Sequence, residues 1–588
     1  MKSDYIESNT ILERIPDHLK QFIKPQNYDE YTAIDQAVWR FVMRKNITHL
    51  KNIAHASYLK GLDLTGISID KIPNMYGMNR ILKEIGWAAI AVDGFIPPSV
   101  FMEFQAYNVL VIASDIRQLD NMEYTPAPDI IHEAAGHAPI IANPEYAEYL
   151  RRFGEIGSKA ISSAKDYDIY EAVRHLSIIK ESAEPNEQEI LEVEKKIKNL
   201  IDSIDKPSEM SLIRNLHWWT VEYGLIGSLK TPKIYGAGLL SSIGESSWCL
   251  SESVEKITYT INAAYQNFDI TKPQPRLYVT PDFAHLSYVL EEFANTMALR
   301  TGGLSSIQKL IESHALGTIE LSTGIQVSGI FNNVISSGNK PVYFQTIGKT
   351  ALSFRGKELI NHGTSVHTSG FGSPIGKLKG INLAIEDMSP RDLKAYDIYE
   401  SEIVELEFEG NITVKGQIIT GIRNLQGKII LISFKNCSVH HNEIELFKPE
   451  WGQYDMAIGK NIISAFSGPG DLSSFNLITH ELSNHSQNIK KSKQQESLEN
   501  LYQNVRDLRE KHQTSVSIML DLFNQVVKNF TNEWLILIEM YELAQQLSHK
   551  TLSEKIICHL EHIKQNFPKN RQLIDDGISI VQNTTNPR

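Results

Sequence analysis

The segment Pro128-Asp129-Ile130-Ile131-His132-Glu133-Ala134-Ala135-Gly136-His137 gathers side chains able to do chemistry in an otherwise small and apolar stretch. Imidazole is the commonest metal-binding side chain, so two histidines around a glutamate raise a metal hypothesis. The nearest pattern is H-E-x-x-H, where both histidines share one helical face and the glutamate is base for a zinc-bound water. Here the second histidine stands at i+5. On a straight α-helix that sets the two side chains about 140° apart. A shared metal therefore needs a distortion near Gly136, or a helix that ends before Pro139, and a zinc hydrolase is disfavoured.

A further acid sits in comparable surroundings. Residues 211–226, SLIRNLHWWTVEYGLI, are apolar around the single acid Glu222. An ionised, unpaired carboxylate in such a setting is costly, so Glu222 is expected to be paired, protonated or bound to a cation. With His132 and His137 it makes a two-histidine, one-carboxylate set. That donor set is characteristic of non-heme Fe(II) oxygenases, which keep positions open for dioxygen and water. Arg117 follows an apolar run and reads either as a surface charge or as a clamp for a carboxylate, which guanidinium matches bidentately. The stretch YGAGLLSSIGE, residues 235–245, lacks the spacing of a phosphate loop and reads as a tight turn bringing Ser241 and Glu245 near a buried site.

The elements that must position these groups are legible as periodicity. Apolar residues recur at helical spacing over 31–58 and 75–87, and Ala88–Val92 is a strand candidate. Pro97-Pro98 interrupts any continuous helix, and Pro128 and Asp129 suit the first turn of the helix carrying His132 and Glu133. Helices are expected over 144–156 and 283–298, and a charged, one-sided helix over 184–206. Residues 1–28 read as a loosely packed arm. From Thr318 the texture changes to alternating or continuous apolar runs between Gly/Asn turns, predicting a mostly β region over 318–470. Within it, 363–380 reads as a long loop, and Cys437 with His440 and His441 as at most half a metal site. After a polar stretch beginning near 485, apolar stripes at 3/4 spacing predict a helical bundle or oligomerisation module. The expected architecture is a mainly α catalytic domain (1–305), then a β-rich domain (306–480) and a helical C-terminal region (481–588).

Composition sets outer limits. The 588-residue chain carries a formal net charge of −12, which argues against nucleic acid or an acidic membrane as main partner. Its first residues lack an apolar signal core, and no apolar run approaches the ~20 residues a bilayer span requires. The three cysteines, Cys249, Cys437 and Cys558, lie far apart and read as reduced thiols of a cytoplasmic protein.

Six segments, in order, resemble the pterin-dependent aromatic amino acid hydroxylases: IPNMYGMNRILKEIGW, DGFIPPSVF, YTPAPDIIHEAAGHAPI, WWTVEYGL, YGAGLLSSIGE and the looser FDITKPQPRLYV. They span roughly residues 30–300, and the members that hydroxylate phenylalanine look most similar. The resemblance implies the aromatic amino acid hydroxylase fold for the first domain. It also implies a monooxygenase using Fe(II), a tetrahydropterin (tetrahydrobiopterin or similar) and dioxygen. Carried over position by position, His132, His137 and Glu222 would hold the iron. Glu133 and Phe101 would face the pterin, and Arg117, Thr125, Trp218 and Ser241 would bind the amino acid, Arg117 through its carboxylate. Glu133 and Glu222 would be the catalytic acids, Tyr235 and Glu245 supporting structure, and His217 packing. Ile270 and Trp218 fall where the family favours phenylalanine, with tyrosine or tryptophan as the alternative substrate. Ala127 and Val111 depart from the family pattern, and the 184–206 helix looks inserted. No family resemblance is assigned to the residues after about 305. They leave open a homo-oligomer through the C-terminal helices, or a binding or scaffold protein with a residual oxygenase domain.

Overall fold

The helix Ala33–Leu50 is opened by a capping box between Thr32 and Asp35, and its buried positions run round more than one face. Trp39, Val42 and Met43 are fully buried, and so is the charged Arg40. A helix apolar on one stripe buries one face; this one is covered from two sides. On one side lie the other elements of the N-terminal half, and on the other three C-terminal helices, Lys493–Glu510, Trp534–Gln546 and Arg571–Thr585. The computed structural model describes residues 6–92, 96–119, 122, 128–181, 186–270, 272–477, 492–511 and 515–585.

In the N-terminal half, Ala88–Val92 pairs in parallel with Val109–Ala113, joined through the helix Pro98–Ala106. Both strands are apolar throughout and buried at every position, as a two-sided strand must be. A four-stranded sheet runs in the order Pro232–Ile234, Leu225–Gly227, Arg276–Thr280, Glu255–Thr258. Helices Pro144–Gly157, Glu209–His217 and Phe283–Ala294 pack around these strands, in the core that also holds the site. The helix Glu187–Asp202 buries only Val193, consistent with the one-sided pattern of its sequence.

Residues 316–467 form two antiparallel sheets. The first runs Lys357–Glu358, Lys340–Phe354, Ile325–Ser337, Leu316–Leu321, Ile462–Ser467, with Gly370–Pro374 also paired to Lys340–Phe354. The second runs Ile403–Phe408, Ile412–Arg423, Ile429–His441, Ile444–Phe447, with Tyr454–Ala457 paired to Ile429–His441. Ile403–Phe408 alternates exposed and buried residues along IVELEF, the signature of a strand with one solvated face. Bulges in the long strands of the first sheet let one strand serve two cores. Val342 and Tyr343 pack with the second sheet, whereas Phe344 and Leu352 pack with the first. The chain enters this region at Gly302, whose φ is +57° and where a Cβ would stand 2.4 Å from the Ile462 carbonyl oxygen. A glycine is required there on both counts.

One expectation is corrected. The N-terminal arm is not loose from residue 6 onward. Leu12, Ile15, Leu19 and Phe22 are buried in the shared core, and the Asn9 amide donates to the carbonyls of Asn79 and Trp87. Those apolar residues are too sparse to show a periodicity, yet each finds a slot. The C-terminal helices use their apolar stripes as core. Leu501, Val505, Leu508, Trp534 and Ile538 belong to the same core as Trp39 and Phe41, so their stripes are covered from within the chain. Arg40, Arg44 and Arg509 meet Glu539, Glu542 and Asp70 at this junction.

Candidate metal centre

The segment Ile131–His137 is wound as a π-helix, continuing into the α-helical turn Ala138–Ile141. Hydrogen bonds from i to i+5 bring the sixth residue back over the first, and such turns concentrate at functional sites. The i+5 spacing that separates two histidines on an α-helix therefore joins them here. Gly136 allows it: a Cβ at that position would lie 2.7 Å from the Ala237 carbonyl oxygen, where Ala237–Ser241 packs against the π-turn. A second π-turn, Trp218–Glu222, ends on the acid.

His132 Nε2 and His137 Nε2 are 3.2 Å apart. Glu222 closes the triangle with Oε2 3.2 Å from His132 Nε2 and Oε1 3.3 Å from His137 Nε2. Ligands on one face of an octahedral ion with bonds of about 2.0–2.2 Å lie about 2.8–3.1 Å apart, and tetrahedral ones about 3.3–3.6 Å. The two Nε2 atoms, and the Glu222 carboxylate with one oxygen toward each of them, thus stand at the separation one divalent ion needs. Burial alone would raise the Glu222 pKa; the two imidazoles hold it well below the usual carboxylate range. Burial pushes Glu133 up to about 8 against the pull of His137, 3.7 Å away, with the Glu222 charge adding to the rise. A dication in the triangle would draw Glu133 down again.

The surrounding groups orient these ligands. His132 Nδ1 donates to Ser241 Oγ at 3.0 Å, because the Ser241 hydroxyl proton is already spent on the Ala237 carbonyl at 2.8 Å. This fixes the Nδ1–H tautomer and leaves the Nε2 lone pair for a metal. Asp129 Oδ1 caps the His132 backbone N–H at 3.0 Å, and the same carboxylate accepts from Arg117 Nε and Nη2 at 2.8 Å each. Although burial raises the Asp129 carboxyl, Arg117 outweighs it and holds the pKa low. Arg117 Nη1 has longer contacts, 3.5 Å to the carbonyls of Met122 and Ser241. His217 lies edge-on between Phe101 and Phe153, and its Nδ1 is 3.9 Å from Glu222 Oε1. Its burial pushes the imidazole down to about 4, so it is neutral near pH 7. Trp218 is stacked between Phe268, at 4.2 Å, and Tyr223, at 4.6 Å. Tyr223 in turn donates to Glu245 at 2.7 Å.

The structure thus gathers His132, Glu133, His137, Glu222, Arg117, Phe101, Trp218 and Ser241 about one buried locus. Thr125 and Ala127 lie outside the described residues. The buried Ser241 hydroxyl is hydrogen-bonded to His132 and to the Ala237 carbonyl. Ile270 is exposed, in the loop after Phe268, and Val111 is buried within its strand. Asp129 is the residue that sequence reading undervalued. An acid three positions before a histidine reads as a helix cap, and its hold on Arg117 is a tertiary contact. Cys437 is buried, whereas the nearest acid to His440 is Glu445, at 4.0 Å, so that grouping forms no ligand cluster among the described residues.

The sequence profile of the biopterin-dependent aromatic amino acid hydroxylases matches residues 3–176 and 192–302. The N-terminal half of the chain belongs to this family. The unmatched interval 177–191 takes in the start of the solvated helix Glu187–Asp202. Over 274 residues the chain is 26% identical to the phenylalanine-4-hydroxylase of Chromobacterium violaceum, covering 46% of this chain and 74% of that protein. It is 26% identical to the Pseudomonas aeruginosa phenylalanine-4-hydroxylase over 264 residues, 45% of this chain and 84% of the relative. A crystal structure of the C. violaceum enzyme with iron(III) and 7,8-dihydrobiopterin aligns with 50% of this chain at 24% identity and a TM-score of 0.37. No described helix is long and apolar enough to cross a membrane.

Proposed function

We propose that this protein is an Fe(II)- and tetrahydropterin-dependent monooxygenase that hydroxylates the ring of phenylalanine to give tyrosine. The observation that carries the reading is the closed triangle of His132, His137 and Glu222 on a chain half of which belongs to the hydroxylase family. Two neutral nitrogens and one carboxylate leave a bound dication with net positive charge and vacant positions. Bound Fe(II) and tetrahydropterin supply dioxygen activation, one oxygen atom going to the substrate ring and the other to the pterin.

The chain's own residues bind, orient and exclude water. Arg117 is the anchor for the amino acid carboxylate. Asp129 fixes two of its nitrogens, and Nη1, with only long contacts to backbone carbonyls, is the nitrogen least engaged within the chain and so the one left for a carboxylate. Phe101 is half-buried and meets His217 edge-on, and beside it Gln105 Oε1 is buried without a hydrogen-bond partner. An aromatic face next to an orphaned acceptor suits a flat heterocycle carrying N–H groups. Glu133 would face that heterocycle, and Trp218, held between Phe268 and Tyr223, would wall the substrate ring, with Thr125 contributing as the family resemblance implies. Ser241 is best read as the orienting partner of His132. The free thiols, two of them buried, suit a reducing compartment such as the cytoplasm.

The full-length protein loaded with Fe(II) and offered phenylalanine, tyrosine and tryptophan together should form tyrosine from phenylalanine only when tetrahydropterin and oxygen are both present. Tyrosine formation undiminished without pterin rejects the mechanism, and turnover confined to tyrosine or tryptophan rejects the substrate.

A further inference from the structure

A second cluster of two histidines and one carboxylate lies in the β region, remote in sequence from the first. His362 and His367 sit in the turn between Lys357–Glu358 and Gly370–Pro374, edging the first sheet, and Asp455 lies on Tyr454–Ala457 of the second. His362 Nδ1 is 2.8 Å from Asp455 Oδ2, and His367 Nε2 is 3.3 Å from the same oxygen. One donor atom from each of the three lies within 4.8 Å of the other two. All three side chains are at least nine-tenths buried.

An ion pair alone explains only part of this arrangement. His362 satisfies Asp455 with a hydrogen bond, yet His367 Nε2 is buried without a hydrogen-bond partner. It stands close to the carboxylate oxygen but is misdirected for a hydrogen bond to it. His367 is thus placed as a ligand that aims at an ion and not at its neighbour, whereas His362 is hydrogen-bonded to Asp455 and would exchange that bond for the ion. An orphaned buried nitrogen otherwise carries a desolvation penalty with nothing to offset it. The other carboxylate oxygen, Oδ1, accepts from Ser433 Oγ at 2.5 Å and Gln453 Nε2 at 2.9 Å, the outer support that ligating carboxylates typically have. The backbone around the histidines is pinned too: the Leu352 N–H donates to the His362 carbonyl and the Thr350 N–H to the His367 carbonyl, both at 2.9 Å. Phe371 closes one side, edge-on to His367 at 5.1 Å.

We infer that His362, His367 and Asp455 form a second metal site, which binds Zn(II) and fastens the 359–369 turn of the first sheet to the second. Two imidazoles and one carboxylate, without a thiolate or further carboxylates, are donors that suit zinc and not calcium or magnesium. Tetrahedral bonds of about 2.0–2.2 Å separate ligands by about 3.3–3.6 Å; the His367–Asp455 separation of 3.3 Å already matches, and the His362–Asp455 pair opens by about half an ångström from 2.8 Å to seat the ion. With so little exposure, the site has a structural role and is distinct from the open triangle at His132.

The test uses the full chain with the first site removed, His132→Ala/His137→Ala, purified from zinc-containing medium. Elemental analysis should find one zinc per chain, lost on adding Asp455→Asn, which keeps the shape of the side chain, and lost again with His367→Ala. Stripping zinc with a chelator should lower the thermal midpoint of the first-site variant but not of its Asp455→Asn derivative. Should the added substitutions prevent folding, cobalt decides. One equivalent of Co(II) titrated into the metal-free first-site variant should produce visible d–d absorption that saturates. Absence of both zinc and that absorption at tens of micromolar metal overturns the inference, as does full zinc retention in Asp455→Asn.

Discussion

Ser241→Ala separates two roles for one side chain. In the structure its hydroxyl accepts from His132 Nδ1 at 3.0 Å and donates to Ala237, and the residue is buried. Alanine leaves the Nδ1–H without an acceptor when Nε2 ligates a metal. A buried donor left unsatisfied costs about 1–3 kcal/mol. At about 1.4 kcal/mol per tenfold, that weakens metal binding by about 5- to 150-fold. Measured losses for groups behind a ligating histidine, about 10- to 100-fold, fall in the same interval. The assay is Fe(II) or Co(II) affinity by competition with a chelating dye. The thermal midpoint of the metal-free variant serves as a check that the fold is intact. At saturating iron the KM for the amino acid should be unchanged, because the side chain acts through His132 alone. Ser241→Thr, which keeps the hydroxyl, should restore most of the affinity. A metal affinity within twofold of the parent together with a raised amino acid KM refutes this reasoning and returns Ser241 to the substrate.

At the junction with the C-terminal helices, Glu542→Gln leaves Arg40 and Arg44, at 3.2 and 2.8 Å, with one anion fewer in a buried network. Breaking one side of such a pair costs about 3–5 kcal/mol. At about 2.1 cal/mol/K per residue over about 390 residues, the thermal midpoint should fall by about 4–6 °C; a fall below 1 °C would show that the junction is not cooperative with the N-terminal core. Glu245→Gln addresses pH. Burial raises the folded-state pKa of Glu245 although Tyr223 donates to it. The sign follows: the stabilisation belongs to the protonated form, complete below the unfolded value of about 4.3 and lost as pH rises through the folded one. Glutamine mimics the protonated form, so the variant should gain stability at pH 7 relative to pH 4 in chemical unfolding, and a larger loss at pH 7 than at pH 4 contradicts the assignment.

Much of the site is written locally. Two imidazoles five apart beside an acid, and a lone carboxylate in an apolar helix, name a donor set from residue type and hydrophobicity alone. The six family segments then attach that set to a chemistry. Alternating strands such as Ile403–Phe408 are legible for the same reason, since their pattern states which face is buried.

What the sequence left undecided depends on groups distant along the chain. The i+5 spacing was an obstacle on an α-helix, and only packing of Ala237–Ser241 against Gly136 shows the π-winding that removes it. Asp129 reads as a cap until the fold brings Arg117 to it, and the hydrogen bonds of Ser241 to His132 and Ala237 are visible only in the tertiary structure. The stripes at 498–508 and 534–544 read as core in the sequence, without saying which element they meet. They meet Ala33–Leu50 because that helix carries apolar surface on a second side and Arg40 opposite Glu539 and Glu542. Likewise His362 and His367 are ordinary loop histidines in the sequence, and strand pairing in the second sheet sets Asp455 between them. Residue type and period fix what each segment can do; which segments meet is decided by burial summed over the whole chain.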